Sequence, residues 1–225
     1  MTSCDNYLDK HRIRVSLSGF GSDHYEQTHT GGNWKRVHRN LTLLAEYIQK
    51  YETGTIVEVY YHVNSINLSD AESARALCEE LGLRFHPSIS MLFHDYAMDF
   101  LLGNTLPANA QQAKAIMTIS LEEMIDNAKM QKDKHCLLRR VVPVINWDLT
   151  VLPCCNYSTN KIAGALIANN YLETPLEDIL KMREMNPLCI KCQELALHRY
   201  FNPVYYSDYI NALISKDLEN NAQAR

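Results

Sequence analysis

Long apolar runs are missing from this 225-residue chain: no stretch approaches the roughly eighteen uninterrupted apolar residues of a membrane-spanning helix. Residues 1 to 30 carry Asp5, Asp9, Lys10, His11, Arg12 and Arg14 and hold no apolar core of signal-peptide length. The expectation is a cytoplasmic protein without a membrane partner. Charge of one sign is scarce too. The 22 basic and 26 acidic residues form no long run, so the electrostatic footprint required by nucleic acid or anionic lipid is lacking. Gly19-Phe20-Gly21 lacks the third glycine of a dinucleotide loop, and Gly31-Gly32 lacks the lysine of a P-loop. No nucleophile elbow is visible. Nine histidines are present, but His24, His29, His38 and His62 make no two-His-one-carboxylate cluster in sequence. Cysteine is also sparse. Seven is an odd number, far below the density of a disulfide-stapled scaffold, so these residues read as free thiols or metal ligands.

What is present begins with a core. With 46% hydrophobic residues the chain is long enough to bury one large domain or a medium domain with an appendage. Arg12 to Ser18 alternates with period two and runs into Gly19-Phe20-Gly21, the pattern of a strand ending in a loop. Trp34, Val37, Leu41, Leu44 and Ile48 follow helical spacing behind an Asn33 N-cap, and that helix ends near Gly54. Thr55 to Val63 reads as a second strand. Ala71, Ala74, Leu77 and Leu81 make a helix closed by Gly82, and Leu83 to Leu92 is a third strand. This order is that of parallel βαβ units, whose chemistry sits in loops at the carboxyl ends of the strands. Three strands do not close a barrel.

From Asp95 to Lys134 the signal is helical, with Ser120-Leu-Glu-Glu123 as a capping box. The character changes at Cys136. Val141 to Ile145 and Thr150 to Leu152 flank Asn146-Trp147-Asp148-Leu149, a hairpin with a polar turn. Thr174-Pro175-Leu176-Glu177 starts a helix expected to run to about Met185, and Ser207 starts a last amphipathic helix. Between them stands Cys189-Ile-Lys-Cys192, a spacing that lets one short turn present two thiolates to a single metal or cluster. Upstream, Cys136 precedes the hairpin and Pro153-Cys154-Cys155 ends it, so four sulfur ligands can converge. Cys136, Cys154, Cys189 and Cys192 are the candidate set, with Cys155 as the alternative to Cys154. Spacing alone fits tetrathiolate zinc as well as iron and sulfide. His135 and His198 are candidates to support the ligands from behind or to replace one of them, and Cys78 reads as a buried hydrophobe.

The stretch from Cys136 to Cys192 resembles the SPASM or twitch extension of radical SAM enzymes. There a cysteine is followed by a dozen or so residues, a glycine, four residues, a second cysteine, and later a closely spaced cysteine pair. Leu149 stands in the glycine position here, and Gly164 with the Pro-Leu-Glu-Asp-Ile helix resembles the segment before the pair. No cysteine follows Cys192, so the resemblance implies one auxiliary cluster, as in the twitch type. Ile13 to Gly19 is similar to the fourth barrel strand of that family, with Ser16 and Gly19 matching and Ser18 in place of aspartate. The run from Tyr25 to Leu44 is similar to the segment that follows. Asn67, fifteen residues before Gly82, stands where the family has an asparagine after its fifth strand. The resemblance covers roughly residues 12 to 195. The Cys-three-Cys-two-Cys run that holds the family's S-adenosylmethionine-cleaving cluster is absent.

The resemblance implies an α/β fold: a half TIM-like radical SAM barrel over residues 1–134, then a SPASM/twitch module of hairpin and short helices over 135–225. It implies one auxiliary 4Fe-4S cluster supporting substrate binding or electron transfer. It puts Ser16 and Asn67 on the S-adenosylmethionine side, that cofactor being used only if the missing N-terminal half is supplied. The strands correspond to the fourth through sixth of the family, so the chain is expected to be a truncation, a misassigned start or a piece that needs a partner chain. Expected partners are that chain and a peptide or small-molecule substrate. A stand-alone iron-sulfur electron carrier and a zinc-stabilised interaction module remain the alternatives.

Overall fold

A computed structural model describes residues 11–136, 138, 144–156, 166–200 and 203–223. Cys4, Val141 to Pro143 and Gly164 lie outside the described residues. The chain divides into two compact units, Met1–Ser90 with Pro203–Arg225, and Met91–Asn202. The first unit is discontinuous in sequence.

Alternating β-branched and polar residues put β1 at Arg12–Leu17, β2 at Ile56–Val63 and β3 at Arg84–Ile89. They form one parallel sheet in the order β1-β2-β3, with Ser16 opposite Tyr60 and Tyr60 opposite His86. Between them run α1 (Gly21–Thr28), α2 (Trp34–Lys50), a 3-10 turn (Leu68–Asp70) and α3 (Ala71–Glu80). The unit is thus mixed α/β with parallel strands. Val57, Val59, Tyr61 and Val63 are buried in alternation along β2 and form the core with Leu41, Ala45, Ala74 and Cys78. Burial pushes the Cys78 thiol up to about 11, as suits a thiol that packs as a hydrophobe.

Local signals act as expected at most ends. The Asn33 side chain accepts from Arg36 N at 2.9 Å and caps α2. Gly82 follows α3 with φ 68°, a left-handed residue without a Cβ penalty. Gly19 has another reason to lack a side chain: a Cβ there would lie 2.7 Å from the backbone of His24 and Tyr25. The third strand is shorter than expected: its pairing with β2 runs from Arg84 to Ile89, and Leu83 and Leu92 lie outside the ladder. The last helix runs over Pro203–Gln223, four residues earlier than Ser207, with proline at its first position, where the missing N–H costs nothing. It packs on β3 and on the 3-10 turn after β2.

The second unit contains α4 (His94–Leu101), α5 (Ala108–Ala115), α6 (Leu121–Lys129), the antiparallel pair β4 (Val144–Ile145) and β5 (Val151–Leu152), α7 (Leu176–Met185), α8 (Pro187–Glu194) and a 3-10 turn (Leu197–Arg199). Ser120 caps α6, accepting from Glu123 N at 3.1 Å. Thr174 does not cap α7; its hydroxyl donates to Asn170 O at 2.8 Å instead. Val151, Ile167, Ala168 and Ile179 form a small core, with Tyr171 and Met182 against it. The sequence put the division between residues 134 and 135. Yet α6 buries Leu121, Met124, Ile125 and Ala128 and packs on the Leu197–Arg199 turn, so the helices from His94 onward share a unit with the cysteines.

Candidate metal centre

The hairpin brings Cys154 into place. Asn146 N donates to Thr150 O at 2.9 Å, and the Asp148 carboxylate accepts from the Thr150 N–H and hydroxyl at 3.1 and 2.6 Å. Leu149 closes the turn with φ 67°, the left-handed region that favours glycine. β5 then delivers Pro153 and Cys154.

The cysteine pair arrives on a helix rather than on a loose turn. Asn186 and Pro187 supply an N-cap and a first-position proline, and Asn186 Oδ1 accepts from Leu188 N at 3.0 Å and Cys189 N at 3.3 Å. Residues three apart share a helix face, so Cys189 and Cys192 stand one above the other on α8.

Arg183 ties these parts together. Fully buried on α7, it donates from Nε to Pro153 O at 3.0 Å and from Nη2 to Leu138 O at 2.6 Å. One side chain therefore fixes the carbonyl just before Cys154 and another two residues after Cys136. On the far side, His198 Nε2 bonds Lys134 O at 2.8 Å and Arg199 Nη1 donates to His135 O at 3.4 Å, holding the backbone that leads into Cys136.

Cys136, Cys154, Cys189 and Cys192 line one pocket with Pro153, Gln193 and His198. Its enclosed space is about 20 Å³, and about 290 Å³ when the open mouth is counted. Cys192 is buried, while Cys136, Cys154 and Cys189 are half-buried. Burial pushes the Cys154 thiol up to about 11, and the neighbouring sulfurs of Cys189, Cys155 and Cys136 add to the rise against a backbone hydrogen bond from Asn156. Thiols so grouped resist ionising together unless a cation compensates them. Among the described residues, no group of three or more His, Cys, Asp or Glu is gathered tightly enough to grip an ion as it stands. The sulfurs thus share a pocket without meeting at a point. Cys155 is exposed, its sulfur 3.8 Å from Asn156 Oδ1.

His198 adds a nitrogen donor. Its Nε2 donates to the Lys134 carbonyl, and its Nδ1 is buried and without a hydrogen-bond partner. His135 is exposed. His94, at 3% exposure, lies edge-on to Tyr200 and 3.2 Å from Asn156 Nδ2. Burial drives its pKa down to about 4, against a backbone hydrogen bond to Leu197, so the ring is neutral at pH 7. It links α4 to the residue that follows Cys154-Cys155 and to the Leu197–Arg199 turn.

Ser16 and Asn67 lie in the first unit. Ser16 is exposed on β1. Asn67 is fully buried; its Nδ2 donates to Ser18 O at 2.8 Å and His62 O at 3.0 Å, and its Oδ1 accepts from Asn64 N at 2.8 Å. It stitches the loops after β1 and β2. Sequence reasoning missed Arg183, His94 and Asn186. Only the last carried a signal, an Asn-Pro pair three residues before Cys189. The chain matches no protein-family model and no curated protein.

Proposed function

We propose that Cys136, Cys154, Cys189 and Cys192 hold one 4Fe-4S cluster, and that the chain is the auxiliary-cluster portion of a radical SAM enzyme of the SPASM or twitch type. The observation that carries the reading is the single pocket lined by these four thiols and no carboxylate, a donor set suited to iron-sulfur ligation. The left-handed Leu149 supports it, since a residue in the family's glycine position has the backbone that glycine favours. The three parallel strands are read as the later part of the family's barrel, and a chain bearing the Cys-three-Cys-two-Cys run would supply the cleavage of S-adenosylmethionine. When bound, the auxiliary cluster would ligate a peptide or small-molecule substrate or relay electrons. Arg183 and Asn186 position the ligands, and His198 offers a further donor.

A second reading is a zinc-stabilised interaction module, favoured by an enclosed space of about 20 Å³, the size of one ion or water. An iron, sulfide and zinc count per chain on protein purified without oxygen separates the two. About four irons and four sulfides, lost in Cys189→Ala, are expected. One zinc and no sulfide would overturn the cluster and leave the module.

A further inference from the structure

The sheet of the first unit has two unlike faces. Val57, Val59, Tyr61 and Val63 are buried on one. On the other, the register lays out rows across the strands: Arg14, Glu58 and Arg84; then Ser16, Tyr60 and His86; then, at the carboxyl end, His62 beside Ser88. Arg12 shares this face one row below. Parallel sheets are ordinarily apolar on both faces, because helices cover both. A polar face on this sheet calls for an occupant other than a helix.

Its charge is lopsided. Glu58 is the one acidic residue in the three strands, and its nearly buried carboxylate accepts from Arg12 Nη1 at 2.5 Å and Arg14 Nε at 3.4 Å. Within the three strands, three arginines stand against one glutamate, a formal surplus of two positive charges. Arg14 is held but not covered: Glu58 takes its Nε, its guanidinium carbon lies 5.3 Å from the Tyr60 ring centre, and its side chain is 67% exposed. Tyr60 in turn stacks on His86 at 5.1 Å and 22°. His86 Nε2 is buried without a hydrogen-bond partner, 3.9 Å from the Glu58 carboxylate. Arg84 is exposed. A guanidinium fork fixed at one edge and open at the other is pre-organised for oxyanions, at less entropic cost than a free side chain.

We propose that this face binds a small organic polyanion, whose carboxylate or phosphate groups pair with Arg14 and Arg84 above the Tyr60–His86 stack. Neighbouring strands lie about 4.8 Å apart, so the two arginines rise from backbones roughly 10 Å apart on either side of Glu58. A tricarboxylate or diphosphate spans that gap, and a lone carboxylate does not. The site stands on β1, β2 and β3 alone, so metal content and anion binding succeed or fail separately.

Isothermal titration of the full chain at low salt with citrate, with pyrophosphate and with acetate tests it. At least one polyanion should bind with a Kd below about 1 mM while acetate gives no measurable heat. Whichever binds tighter says whether carboxylate or phosphate is the natural group. Arg14→Gln and Arg84→Gln, both at exposed positions, should each weaken binding about tenfold, and Lys35→Gln/Arg36→Gln on the exposed surface of α2 less than about twofold. Glu58→Gln separates a built site from a diffuse field. It raises the positive surplus, so a field would bind more tightly, whereas loss of the contact that fixes Arg14 weakens a site. Should that variant not fold, Arg14→Gln against the α2 pair decides. No heat from either polyanion, equal weakening by the α2 pair, or tighter binding in Glu58→Gln would overturn the proposal.

Discussion

The two units hold themselves together by different means. In the first, strands of six, eight and six residues share a parallel ladder, and an apolar face is buried beneath it. In the second, the strands are two residues long, and side chains bonded to distant backbone do the work of the ladder. Arg183 holds Pro153 and Leu138, His198 holds Lys134, and Arg199 Nη1 donates to His135 O at 3.4 Å. Nearly every such clamp ends within two residues of a pocket cysteine. Where regular hydrogen bonding is short, stability concentrates in a few polar side chains, and those side chains also set where the thiols stand. Damage should therefore be spread thinly in one unit and sharply localised in the other.

The contrast breaks most visibly at Arg183. Replacing it with alanine strands two carbonyls and opens a cavity, and a loss of about 3 kcal/mol or more is expected in urea unfolding, with metal content falling alongside. A loss below about 1 kcal/mol would mean the clamp is ornamental and the units are alike. Acid should sharpen the contrast next. The unfolded chain protonates His94 near 6.5 but the folded chain only near 4, so the proton goes to the unfolded state first. Stability should be full above pH 6.5 and decline as pH falls toward 4, by about 3 kcal/mol in total. Urea titrations at several pH values measure that slope, and His94→Asn should flatten it. The smallest effect is at the hairpin: Leu149→Gly should gain about 0.5–1 kcal/mol by relieving a left-handed leucine. A loss instead would show that the half-buried leucine side chain matters more than its backbone.

The same contrast governs what could be read from the chain. In the first unit the strand and helix periods, the Asn33 cap and Gly82 are local signals, and the elements formed within a few residues of where those signals put them. The four cysteines were also legible, because spacing alone singled them out. Arg183 was not: its acceptors lie 30 and 45 residues away in sequence, and nothing in Leu-Lys-Met-Arg-Glu marks a buried arginine. His94 was hidden for the same reason, since Asn156 is 62 residues off. The two-residue spacing of Cys189 and Cys192 suits a short turn as well as a helix, and it is Asn186-Pro187 before it that starts a helix. The compositional change at Cys136 is real, but compactness follows the apolar side of α6, which belongs with the turn at Leu197.

The discontinuity of the first unit carries a consequence for how the chain is made. The last helix packs on β3 and on the turn at Leu68, yet Pro203 leaves the ribosome after all of Met91–Asn202 has been synthesised. Until Pro203 emerges, β3 lacks the helix that packs on it, whereas every residue of the thiol-lined unit has already been made. Since domains fold as units in the order they emerge, the inserted unit is the first to finish, although its first residue follows ninety others.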